Sequence, residues 1–260
     1  MRTDFKIKNR YNLEIVGYVE IPEEPIGLAF TLHGLGSTKE TPNITYLVDT
    51  FLKHNYIVVN FDATNSVGGS GGRYEYSTFG KHYEDLVDVI SWAKNQEWYK
   101  EPFVLAGHSM GGYAVLQYAE DYPNEVKSVF AFAPTISGEL SVKAKEKYSR
   151  EDFNKWKETG WQIRESKSIP GVIKKLPWSH MEERMNHNLL INVKKLNMPV
   201  AILVGDKDEQ CPLEQQEILF DSLTTKKDLY TIIGAPHTFR TEDDLNSLKK
   251  YLDIWLRNLI

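Results

Sequence analysis

Residues 103–114 read FVLAGHSMGGYA, and the fold is decided here. The apolar run 102–107 has the character of a buried parallel strand, which must be hydrophobic on both faces. It runs into Gly107-His108-Ser109-Met110-Gly111, a G-x-S-x-G pattern, and a helix is predicted over 110–121. That order puts Ser109 on a tight, strained strand-to-helix turn with its hydroxyl raised from the sheet. Gly107 and Gly111 lack a Cβ, so strand and helix can close on the turn. The helix N-terminus then faces any negative charge that develops beside Ser109. The competing reading, a bystander serine on a glycine-lined turn, does not account for the strand before it and the helix after it.

Outward from this stretch, short apolar runs alternate with helical segments. Strands are predicted at 12–21, 27–33, 56–61, 126–133, 199–205 and 229–233. Helices are predicted at 41–54, 82–97, 213–223 and 242–258. Leu86, Val89, Ile90 and Ala93 form one helical stripe, and Leu245, Leu248, Leu252, Trp255 and Leu259 another. Such alternation predicts an α/β fold: a mostly parallel central sheet with helices on both faces. Ligands of such sheets lie beyond the carboxyl ends of the strands. Residues 1–134 and 199–260 would make this core. The rhythm breaks over 135–198, which reads as a lid insertion, helical with a small hairpin around 169–171. Over 139–195 the charge is +5, leaving −10 for the remainder, and three of the six tryptophans fall there. A long insertion at the ligand end is usually functional.

Four motifs sit at strand ends. TLHGLG (31–36) can aim the Leu35 N–H at an oxyanion, with the Met110 N–H as second donor. His33 is then a brace, although it is also a rival candidate for the base. In VAILVGDKDEQCP (200–212), Asp208 is favoured as the acid over Asp206, nearer the strand, and Glu209. His237, in GAPHTF, follows the last strand and is the only histidine beyond residue 187. The order Ser109, Asp208, His237 is the one a nucleophile–acid–base triad takes on this kind of sheet. With HGLG, GHSMGG, GDKDEQCP and GAPHTF in place, the chain resembles the α/β-hydrolases of the serine esterase type. Within them it is similar to cinnamoyl/feruloyl esterases and monoglyceride-lipase-like enzymes, which carry a lid between strands six and seven. The resemblance implies Ser109 as nucleophile, His237 as base, Asp208 as orienter, and Leu35 and Met110 as oxyanion donors. Thr64 stands where the family commonly has Arg in the loop 62–72.

The implied activity is carboxylic ester hydrolysis through an acyl-enzyme, with thioester, amide or peptide hydrolysis, or ligand binding without catalysis, as alternatives. No cofactor and no metal site are expected; His180 and His187 lack a third ligand with matching spacing. Trp156, Trp161 and Trp178 are the candidate substrate-binding residues. The chain has 260 residues, 41% of them hydrophobic and 26% charged, ample for a core without disulfides or metals. Its net charge of −5 offers no footprint for nucleic acid, and no stretch reaches the ~18 apolar residues of a membrane span. Cys211 is the single cysteine, so no intrachain disulfide exists. Residues 1–10 carry no leader pattern. A cytoplasmic monomer or homodimer acting on a small-molecule ester, without stable membrane insertion, is the expectation.

Overall fold

The computed structural model describes residues 1–166 and 169–259. In chain order the elements are β1 (Arg2–Lys8), β2 (Glu14–Glu20), β3 (Gly27–Leu32), α1 (Pro42–Lys53), β4 (Tyr56–Asp62), α2 (Phe79–Ala93), β5 (Phe103–His108), α3 (Met110–Asp121) and β6 (Val126–Phe132). Then come α4 (Gly138–Tyr148), α5 (Arg150–Thr159), the pair β7 (Trp161–Glu165) and β8 (Ile173–Pro177), and α6 (Ser179–Arg184). The chain returns through β9 (Val200–Gly205), α7 (Leu213–Ser222), β10 (Lys227–Ile232) and α8 (Glu242–Arg257).

Eight strands form one sheet in the order β1-β2-β4-β3-β5-β6-β9-β10. The pairs β1–β2 and β2–β4 are antiparallel; every pair from β4 to β10 is parallel. Side chains alternate across a strand, so each buried strand feeds two cores. Phe103 and Leu105 pack with Leu86, Val89 and Ile90 of α2 and Leu116 of α3. Val104 and Ala106 pack with Leu47 and Phe51 of α1 and Leu248, Leu252 and Trp255 of α8. Both predicted helical stripes therefore face the sheet, from opposite sides.

Several bounds shift by a few residues from the sequence reading, and two differences have a plain cause. β1 was not expected: in RTDFKIK only Phe5 is buried, as suits an edge strand, and its charges hide the period. α2 starts three residues earlier than predicted, because the Thr78 side chain accepts from Lys81 N (3.1 Å) and caps it.

The segment 135–198, of which 167 and 168 lie outside the described residues, carries α4, α5, the β7–β8 hairpin and α6. Its ends are tied to each other: Gly138 N donates to His187 O and Leu189 N donates to Ile136 O, both 3.0 Å. It has a small core of its own, Phe153, Trp156, Leu176 and Met181. No helix among the described residues is long and apolar enough to cross a membrane.

Candidate active site

Ser109 sits between β5 and α3 with φ 55° and ψ −114°. A non-glycine residue in such a region stores about 1–3 kcal/mol, so its surroundings must hold it there. Ser109 N donates to Phe132 O (3.1 Å), and Ser109 O accepts from Tyr113 N (2.9 Å) and Thr135 N (3.2 Å). A Cβ on Gly107 would collide with Gly111 O, and one on Gly111 with Leu32 O. Only glycine at both positions lets β3, β5 and α3 converge on the serine.

The loops after β9 and β10 bring the other two residues to it. Ser109 Oγ is 3.0 Å from His237 Nε2, and His237 Nδ1 is 2.7 Å from Asp208 Oδ2. Asp208 Oδ1 accepts from Gln210 N and Cys211 N, both 2.8 Å. Burial alone would raise the Asp208 carboxyl. The His237 ring and these amides outweigh it and hold the group below its ordinary value. Asp206 turns elsewhere, its Oδ1 accepting from Gly234 N (2.6 Å), and Glu209 is exposed. Of the three candidate acids, only Asp208 touches the histidine.

His33 is fully buried. Its Nδ1 donates to Gly34 O (2.8 Å), its Nε2 accepts from Ala63 N (3.0 Å), and burial pulls it below its ordinary value. This neutral ring braces the loop 33–36 and does not reach Ser109. A Cβ on Gly34 would lie 3.0 Å from Ser109 Cβ, so the glycine allows the loop to lie against the serine. Leu35 and Met110 both line the cavity beside Ser109, and neither of their amides donates to an acceptor among the described residues.

Sequence reasoning missed His108. Its Nε2 donates to His237 O (2.8 Å), and it stacks on Phe132 with ring centroids 4.7 Å apart. Burial, with His237 close by, pulls it down to about 3, so it stays a neutral brace of the His237 loop. Its bond spans 129 residues and leaves no spacing to read.

The cavity over Ser109 measures about 240 Å³ and is walled by the core on one side and by 135–198 on the other. Trp156 lines it. Trp178 packs edge-on behind Trp156 at 5.5 Å, and Trp161 is 46% exposed on the hairpin, facing a second, outer hollow. Lys145, Arg164, Lys174 and Arg184 also line it; the sequence showed their net charge but not their direction. Cys211 lines it as a thiol, since burial raises it well above its ordinary value. His180 and His187 hold protein partners: His180 donates to Ser77 O and accepts from Arg184, and His187 lies 2.6 Å from Glu183 Oε1. The glycine run 68–72 is pinned: Gly69 N donates to Asp62 Oδ2 and Gly71 N to Glu14 O. Thr64 is held by Asp85 Oδ2, which accepts from its N (2.6 Å) and its Oγ1 (2.8 Å).

This sheet order, with a serine on the β5–α3 turn and an acid and a histidine on later strand ends, defines an α/β-hydrolase fold. The chain belongs to the Hydrolase_4 family, described as serine aminopeptidase S33, whose model matches residues 23–244. It is 25% identical over 260 residues to the human mitochondrial palmitoyl-protein thioesterase ABHD10, covering 97% of this chain and 80% of that protein. Among solved structures it superposes on Est1E from Butyrivibrio proteoclasticus with bound ferulic acid at a TM-score of 0.79, with 20% identity and 98% of each chain covered. It matches the mouse alpha/beta hydrolase domain-containing protein 10 at a TM-score of 0.78, with 18% identity and 99% and 100% covered.

Proposed function

We propose that this chain is a serine carboxylesterase. The observation that carries the reading is the unbroken line of short contacts from Asp208 through His237 to Ser109 at the floor of a cavity. His237 Nδ1–H donates to Asp208, so Nε2 is free to take the Ser109 proton. Ser109 Oγ attacks the ester carbonyl, and the Leu35 and Met110 amides receive the oxyanion. His237 then gives its proton to the leaving alkoxide. Water, deprotonated by the same ring, cleaves the acyl-enzyme and releases the acid. No step needs a cofactor. The segment 135–198 acts as the lid that shapes the acyl or alcohol site.

Thioester hydrolysis is the second reading, favoured by the human relative's thioesterase activity; the steps are the same with a thiolate leaving. Aminopeptidase action, the family's description, is disfavoured by charge. A substrate's terminal ammonium needs an anionic partner, and the cavity walls present Lys145 and Arg184 instead. The test is labelling by a fluorophosphonate together with turnover of 4-nitrophenyl esters of increasing chain length, methyl ferulate and a monoacylglycerol. Ser109→Ala should abolish labelling and cut kcat by on the order of 10⁴-fold or more. A folded Ser109→Ala protein that kept a tenth of wild-type turnover would refute the reading.

A further inference from the structure

Lys145 on α4 and Arg184 at the end of α6 face the cavity from the insertion, next to Arg164 on β7 and Lys174 on β8. Among the described lining residues the one acid is Glu165, which is exposed and accepts from Gly171 N (3.1 Å). Arg164 is matched outward by Asp152 at 2.7 Å. Among the described residues Lys145 and Arg184 form no ion pair with an acid. Arg184 Nη2 donates to the neutral His180 ring (3.0 Å), its guanidinium lies 4.7 Å from the Phe79 ring centroid, and its Nε is buried with no acceptor. The Lys145 ammonium lies 5.9 Å from the Trp156 ring centroid. The nearest acid on α6, Glu183, is taken up by Phe79 N, Gly80 N and His187.

Two half-buried cations set close together, with Asp152 already paired to Arg164 and Glu183 to His187, are costly unless something offsets them. Their shared direction, into the cavity that holds Ser109, points to where the offset comes from. We infer that the substrate carries an anionic group, a carboxylate or a phosphate, beside its scissile ester, and that Lys145 and Arg184 receive it. This rests on the esterase reading above and adds the substrate class. Burial, with Arg184 and Arg164 close by, pulls Lys145 down to about 8, and burial pulls Arg184 to about 10. An anion between them reverses both penalties. A guanidinium suits a planar, two-oxygen acceptor, and an ammonium supplies a point charge.

The experiment compares kcat/KM within matched pairs on the full chain. One pair is mono-(4-nitrophenyl) adipate against 4-nitrophenyl hexanoate, a carboxylate on the acyl side. The other is 1-butyrylglycerol 3-phosphate against 1-butyrylglycerol, a phosphate on the alcohol side. The wild type should favour the anionic member of at least one pair by tenfold or more, and the favoured pair names the anion. Lys145→Met and Arg184→Met should each lower that ratio at least fivefold, and Lys145→Glu should lower it further. The ratio is taken within one preparation, so a variant's folded fraction cancels. Calorimetry with adipate and glycerol 3-phosphate on wild type and Lys145→Met reads the cations without turnover, with weaker binding expected in the variant. Ser109-dependent hydrolysis of the neutral esters with no anionic preference in either pair overturns the inference and leaves the esterase reading standing. Equal binding of both anions by wild type and Lys145→Met overturns it too. Failure of every ester and of fluorophosphonate labelling strikes the esterase reading itself.

Discussion

Replacing Asp208 by Asn changes one atom and tests the whole arrangement. In the wild type Oδ1 accepts from the Gln210 and Cys211 amides, while Oδ2 accepts from His237 Nδ1. An Asn can keep its oxygen on the two amides, which leaves its NH₂ facing the ring. Two donors cannot face each other, so the ring moves its proton to Nε2. That nitrogen then donates toward Ser109 Oγ, 3.0 Å away, and cannot take the serine's proton. The carboxylate that would steady the imidazolium is lost as well. Together these should cost roughly 10³- to 10⁴-fold in kcat, or about 4–5.5 kcal/mol of barrier. The fold should survive, because the two amides keep their acceptor. Asp206→Asn is the control: among the described residues Asp206 accepts from Gly234 N on a half-exposed turn and has a loose ion pair with the exposed Lys207 at 3.9 Å, so its loss should cost at most about 1 kcal/mol of stability. Steady-state kcat on a 4-nitrophenyl ester, at matched folded fraction by near-UV circular dichroism, separates the two. A large loss in Asp206→Asn with Asp208→Asn near wild type would refute the reasoning.

The tryptophans should separate by position. Trp156→Ala removes a buried wall of the cavity, costing about 3–5 kcal/mol of stability and shifting ester chain-length preference, whereas the exposed Trp161→Ala should change stability by under about 0.5 kcal/mol and leave the ester profile as it was; equal profiles for both variants and wild type would count against the cavity as the acyl or alcohol site. Glu120 on α3 is buried with neither carboxylate oxygen partnered, and burial, with Asp121 close by, raises it from 4.5 to about 8. The folded protein therefore holds a proton that the unfolded chain releases, so this group's contribution is fully present below pH 4.5 and is lost as pH rises to 8. Glu120→Gln should lose less thermal stability than wild type between pH 5 and 8, by an amount on the order of a few kcal/mol; parallel melting curves across that range would contradict it.

The parallel core was legible because strands buried on both faces are continuous apolar runs; β5 and β9 are buried at every residue. β1 was not, because an edge strand needs only a few inward side chains. The three residues of the Ser109 line could be picked out as residue types at strand ends, whereas His108 acts through a carbonyl far along the chain. Lys145 and Lys147 show the limit most sharply. Both count equally in the charge of 139–195, yet two residues on a helix point about 200° apart. Lys147 pairs in solvent with Glu214 at 2.7 Å, while Lys145 faces the cavity. Composition sees both charges and cannot assign the face.

The charge balance also determines where selection for an anion can operate. The whole chain is net negative, with −10 outside 139–195, so the far field gives an anionic ester no general attraction. Fields from exposed charges fade over about 8 Å at physiological ionic strength, so the exposed lysines of the insertion cannot reach across to Ser109. Lys145 and Arg184 are screened less because they are half-buried in the wall of the cavity itself. Among the described residues the side chains of Ser109, His237 and Asp208, by contrast, hydrogen-bond to one another and to the amides of Gln210 and Cys211 alone. On the proposed reading, chemistry would rest on 1–134 and 199–260, and discrimination on short-range contacts from 135–198. A change of charge at Lys145 or Arg184 can then alter which ester is preferred while Asp208, His237 and Ser109 keep their distances.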